Sequence, residues 1–190
     1  MKEHVRVLGF DDGPFSFGDR TVAVVGVVVR IPAYVEGVLV TEVEVDGTDA
    51  TARIVDALRN SRFREGLALV MIDGIALGGF NLVDIQTVHA QTGVAVMTVT
   101  RKEPDLEAME EALRAKFPDW RERAATIRRA PLEQVETSHK PLYVLREGIG
   151  AEDARDLIRR STVRGALPEP LRIAHLMATA LTTGESKGAA

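Results

Sequence analysis

Cysteine is absent from this chain of 190 residues, which excludes disulfides, thiolate metal sites and a cysteine nucleophile, and suits a reducing compartment. Any metal site must therefore use oxygen or imidazole. Long apolar runs are also missing. Thr21 to Val29 is bounded by Arg20 and Arg30, short of the roughly 18 to 20 residues that span a bilayer. Met1-Lys2-Glu3-His4 lacks the apolar region of a signal peptide, so a soluble, cytoplasmic protein with no membrane partner is expected. Neither Gly-x-x-x-x-Gly-Lys nor Gly-x-Gly-x-x-Gly stands at a strand-helix junction, which argues against nucleotide binding through those loops. A bulk positive charge is lacking too. The formal net charge is -4, with 8 Lys/Arg against 13 Asp/Glu in residues 1–100 and 16 against 15 in residues 101–190. Nonspecific nucleic-acid binding through bulk charge is thereby not supported, while local basic patches stay open. No internal repeat or dividing linker occurs. With 45% hydrophobic residues the chain can build a full core, and one domain over residues 1–190 is expected.

What is present is a series of apolar strands that end in acids. Val5 to Phe10 runs into Asp11-Asp12-Gly13-Pro14, where a sheet meets solvent and the chain must turn. Thr21 to Arg30 is β-branched and apolar on both faces, as a central strand requires, and Gly18-Asp19 suits the turn that pairs it antiparallel with the first. Gly37 to Asp46 alternates: period-two geometry puts Glu42, Glu44 and Asp46 on one face, Val43 and Val45 on the other. Leu67 to Ile72 then repeats the opening theme and ends in Asp73-Gly74. From Ala50 to Thr100 the pattern reads helix (Ala50 to Asn60), strand, helix (about Leu82 to Thr92), strand (Val94 to Thr100), an alternation that implies right-handed parallel crossovers.

Beyond residue 100 the predicted elements are an amphipathic helix over Asp105 to Lys116, a short strand at Leu142 to Leu145, a helix over Ala151 to Arg160, and a final helix with Leu171, Ala174, Ala178 and Leu181 on one side. Arg121, Arg123, Arg128 and Arg129 read as a solvated helix face rather than a phosphate patch. His89, His139 and His175 read as packing or surface residues.

Hairpin-joined early strands followed by parallel later ones form the ribonuclease H-like α/β plan, a mixed sheet of about five or six strands flanked by helices. In that plan the first and fourth strands are neighbours. Asp11 and Asp73 can then share hard divalent cations, Mg2+ or Mn2+, with Glu42, Glu44 or Asp46 as candidates for a third acid and Asp12 as an outer ligand. Such a centre activates water and stabilises the leaving oxygen of a phosphodiester, which is why it needs acids rather than a nucleophilic side chain. Kinases of the actin-like type need paired domains too large for this chain, and the Asp-x-Asp-Gly of dehalogenase-type phosphatases is missing.

Gly9 to Phe15, Glu36-Gly37-Val38-Leu39, Thr41 to Gly47, Asp73-Gly74-Ile75, Gly79-Phe80-Asn81, Arg101 to Ala108 and Arg164 to His175 together resemble a mainly archaeal, endonuclease V-like family of unknown function, across nearly the whole chain. A more distant likeness is to endonuclease V itself. That likeness implies a ribonuclease H-like fold, cleavage of nucleic acid near deaminated adenine, and magnesium or manganese held by acids. Asp11 and Asp73-Gly74 match its strand-end acids, and Tyr34-Val35-Glu36-Gly37 resembles its Tyr-x-Pro-Gly. Aligned on Gly37, the catalytic Glu of that family falls between Glu42 and Glu44, nearer Glu42. The His-Pro-Arg that follows its Asp-Gly is replaced here by Ile75 to Phe80, and its strand-five Lys is matched by Arg101 or Lys102, which the resemblance sets against phosphate. The expectation is a metal-dependent nuclease acting on DNA or RNA. A noncatalytic nucleic-acid- or protein-binding module and a small-nucleotide hydrolase are the alternatives.

Overall fold

The β-branched run Thr21–Arg30 forms β2, whose interior positions are buried almost without exception; branching at Cβ suits such a strand because it packs well on a pleated surface. The structure is a computed structural model that describes residues 5–16 and 18–188. Met1 to His4, read above as carrying no apolar leader, lie outside the described residues.

Strand β1 (Arg6–Asp12) lies between β2 and β4 (Leu67–Asp73), antiparallel to the first and parallel to the second. With β3 (Tyr34–Glu44), β7 (Val96–Thr100), β8 (Glu133–Val135) and β9 (Leu142–Glu147) they make a seven-stranded sheet in the order β3-β2-β1-β4-β7-β9-β8. β7 continues the parallel part beside β4, and β9 and β8 extend the sheet antiparallel. A separate two-stranded ribbon, β5 (Ala76–Leu77) and β6 (Asn81–Leu82), follows Asp73. The mixed α/β sheet expected from the sequence is thus present, with seven main strands rather than five or six. β8 has only three residues and β5 and β6 two each, too few for a periodic signal.

Helices α1 (Ala50–Arg59), α2 (Ile85–Thr92), α3 (Leu106–Lys116) and α4 (Trp120–Ile127) cover one face, where Leu8, Phe10, Val70, Ile72 and Val96 meet Ile54, Leu58, Val88, Leu113 and Ile127. Helices α5 (Ala151–Ser161) and α6 (Glu169–Thr183) cover the other, where Val7, Leu69, Met71 and Met97 meet Leu157, Ile158 and Leu171. Alternation along β1 and β4 follows from this: Leu8 and Phe10, Val70 and Ile72 face the first layer, so Asp11 and Asp73 share the face of α6. Among the described residues no helix is long and apolar enough to cross a membrane.

Three boundaries differ from expectation for local reasons. β3 starts at Tyr34 and ends at Glu44; Asp46 sits at φ 56, in the left-handed region that no strand uses, so it does not continue the acidic face of Glu42 and Glu44. Helix α2 starts at Ile85 rather than near Leu82 because the Asp84 carboxylate accepts hydrogen bonds from Gln86 N (3.1 Å) and Thr87 N (3.2 Å), which caps the helix there. Leu181 is exposed, so the packed stripe of α6 ends at Ala178.

Candidate functional site

Parallel pairing of β1 with β4, in register from Val7↔Leu69 to Phe10↔Ile72, brings the two strand-end acids level. Asp11 is buried at 5% exposure, while Asp73 is half-buried. The third member comes from α6. His175 Nδ1 lies 2.8 Å from Asp11 Oδ2, and one ligand atom each of Asp11, Asp73 and His175 can be chosen so that all lie within 4.8 Å of one another.

Glycine makes that approach possible. A Cβ on Gly9 would lie 2.6 Å from Pro170 O and 2.7 Å from Leu171 N, and one on Gly13 would lie 2.9 Å from Ala178 O, all closer than real Cβ atoms come. The two glycines flank Asp11 along the chain and let α6 lie directly on β1, with Ala174 and Ala178 packed on Val25, Val27 and Val29. His175, next to Ala174, then falls at the edge of the buried stripe and over Asp11.

Electrostatics mark the same point. The Asp11 carboxyl is pushed up to about 8, first by burial and then by the negative charges of Asp73 and Asp12. Asp73 is also raised by burial, partly offset by the charges of Arg101 and His175. Desolvation and a like charge both favour the neutral acid. Asp12 is raised by burial against the Gly78 N–H, which donates to its Oδ2 at 2.8 Å.

Other residues singled out in the sequence have different places. Glu42 and Glu44 are exposed on β3, the edge strand separated from β1 by β2, and among the described residues they do not join the group around Asp11. Asp46 Oδ1 accepts from Phe80 N at 2.8 Å and Asp46 N donates to Gly78 O at 2.8 Å. Asp12 and Asp46 therefore both brace the Gly78 to Phe80 turn. Arg123 is buried and donates to Gly47 O (2.9 Å) and Phe80 O (2.8 Å), so it is an internal brace rather than part of a solvated face. Arg128 and Arg129 pair with Glu110 and Asp84. His89 Nδ1 lies 2.8 Å from Val94 O, a packing role as expected.

Beside Asp73 opens a cavity of about 800 Å³. Arg101 and Lys102 enter it from the end of β7, and they are joined by His139 and Lys140 from the β8–β9 turn, Arg164 from the α5–α6 connection and Arg172 from α6. Among the described residues, Asp73 is its sole acidic lining residue. Sequence reasoning passed over His175, Lys140, Arg164 and Arg172. His175 had a usable signal, one residue after the buried Ala174 and so at the edge of the packed stripe of its helix; the cations come from separate elements, and no local pattern joins them.

A seven-stranded mixed sheet with neighbouring acids at the ends of β1 and β4 defines a protein of the ribonuclease H-like class. The comparison with solved structures agrees: endonuclease V of Ciona intestinalis, in complex with inosine-containing DNA, superposes with a TM-score of 0.56 at 14% identity, over 90% of this chain and 83% of that one. The chain belongs to the endonuclease dU family, whose profile matches residues 3–182. A relative from Thermococcus gammatolerans, a UPF0215 protein, is 47% identical over 98% of this chain and 96% of its own length. A crystal structure of a protein of unknown function from Archaeoglobus fulgidus has a TM-score of 0.85 at 39% identity, covering 95% of this chain and 99% of that one.

Proposed function

We propose that this chain is a divalent-cation-dependent endonuclease acting on DNA or RNA, folded as one domain over residues 1–190. Asp11, Asp73 and His175 stand at its reacting centre, and Arg101 and Lys102 meet the phosphate backbone. One observation carries this reading: two acids and an imidazole converge beside a cavity that Asp73 lines and whose other ionisable lining groups, among the described residues, are basic.

The donor set suits a hard cation such as Mg2+ or Mn2+, being carboxylate oxygen and one imidazole with no thiolate. Asp11 adds the physical sign, since its ionised form is costly beside Asp73 and Asp12 unless a cation lies near. When bound, such a cation supplies an activated water and charge neutralisation at the phosphodiester. The chain's residues do the rest. Asp11 and Asp73 would hold the cation through their carboxylates at the sheet edge, and His175, whose Nδ1 lies against Asp11, would offer Nε2 as the imidazole donor. Arg101 and Lys102 orient phosphate oxygens. Glu42 and Glu44, exposed on β3, stay outside this centre.

The family's description names an endonuclease and dU, which we read as deoxyuridine, and the Ciona intestinalis enzyme was solved on inosine-containing DNA. The test is cleavage of labelled DNA and RNA, single- and double-stranded, carrying deoxyuridine, inosine or neither, in Mg2+ or Mn2+. Wild type should cut, and Asp11→Asn and Asp73→Asn should each lose at least about 100-fold. Equal cleavage by all three proteins would refute the assignment. Binding that survives chelation, with no turnover by wild type, would favour a noncatalytic binding module.

A further inference from the structure

Many arginines outside the cavity are held in ion pairs. Arg6 and Arg30 pair with Glu36, Arg53 with Asp49, Arg128 with Glu110, Arg129 with Asp84 and Arg146 with Glu133. Among the described residues, Arg101, Lys102, Lys140 and Arg164 make no such ion pair, and all four are exposed. Four unpaired cations from three separate loops converge on one concavity, which is the arrangement a polyanion would relieve. Arg172 differs in kind. It donates to both carboxylate oxygens of Glu169 at 2.9 and 2.6 Å, and Glu169 is buried at 4% exposure. The pair fixes the guanidinium at the cavity wall, three residues before His175 on the same helix.

We infer that this cavity is a single-strand channel: it takes the backbone of one unpaired DNA or RNA strand on the β7–β9 side of the acids, and excludes the duplex. The polynucleotide nature of the ligand rests on the nuclease reading; the preference for one strand rests on shape and charge. A compact space of about 800 Å³ is about 11 Å across, no wider than the roughly 12 Å major groove of a duplex and so narrower than the duplex as a whole. The opposite flank of the sheet carries the exposed Glu42 and Glu44, which repel a second strand laid across the centre. Among the described residues the lining has no Phe, Tyr or Trp, so affinity comes from phosphate contacts rather than base stacking, and binding is tolerant of sequence and steeply dependent on salt.

The test is fluorescence anisotropy with a labelled strand of about 12 nucleotides, alone or annealed to its complement, in chelator so that no hydrolysis occurs. Wild type should bind the single strand at least about tenfold more tightly than the duplex, with log affinity falling by about 2 to 3.5 per unit of log salt. Lys140→Glu with Arg164→Glu, both at exposed positions, should weaken single-strand binding at least about tenfold and lessen that slope by about 1.4. Arg114→Glu with Arg121→Glu, a charge-matched control outside the cavity, should stay within about twofold. Equal affinity for strand and duplex, no binding at all, or equal losses in the two double variants would overturn the inference. Because the assay needs no turnover, absence of cleavage would leave it intact and would count against the nuclease reading alone.

Discussion

Asp11 carries an opposition between folding and function. Its carboxyl is pushed up to about 8, with burial as the first cause and Asp73 and Asp12 adding to it, so folding in chelator favours the protonated acid. The folded-state value lies above the unfolded one. The stabilising contribution is therefore complete below the ordinary carboxylate range and is lost as pH rises through about 8, a change on the order of a few kcal/mol. In chelator, thermal unfolding of wild type should occur at a lower temperature at pH 9 than at pH 6, and Asp11→Asn should flatten that difference. An unchanged pH dependence in the variant would show that the acid is not the source. Added Mn2+ should stabilise wild type, more at high pH than at low, because a ligand must lose its proton to bind; Asp11→Asn should lose most of that gain. His175 belongs to the same scale. It was legible as a helical residue but not as a partner of Asp11, because nothing in local sequence measures a distance across 164 residues.

Among the elements, α6 decides how the centre is assembled. It reaches β1 only because Gly9 and Gly13 present no Cβ to its backbone. Gly9→Ala should push the helix off the strand, costing about 1 to 3 kcal/mol in urea unfolding, and should also weaken Mn2+ binding by moving His175 from Asp11. Full Mn2+ affinity in a destabilised Gly9→Ala protein would show that the helix does not set the centre. Strand β3 gives the complementary case. Its alternation correctly placed Glu42 and Glu44 on one face opposite the buried Val43, but a face is not a neighbourhood, and β2 stands between that strand and Asp11. Glu42→Gln and Glu44→Gln should leave Mn2+ stabilisation within experimental error of wild type. Loss of that stabilisation in either variant would return the glutamates to the centre.

At the scale of the whole molecule, charge is distributed by sheet order. A net charge of -4 argues against bulk attraction to nucleic acid, yet it conceals a local reversal. Asp11 and Asp12, Glu42 and Glu44, and Asp73 stand on β1, β3 and β4, while Lys140, Arg164 and Arg172, distant in sequence, close around Arg101 and Lys102. Sequence by itself determined the long strands β1 to β4, because β-branched runs and period-two alternation encode burial directly. It also determined that Asp11 and Asp73 stand at strand ends, because acids after apolar runs mark where a sheet meets solvent. Tertiary structure alone decided that His175 completes their group, that Glu42, Glu44 and Asp46 do not, and that five cations share one cavity. The reason is physical: local pattern records which way a side chain points, whereas a site requires side chains from separate elements to meet, and that is settled only when helices and strands pack.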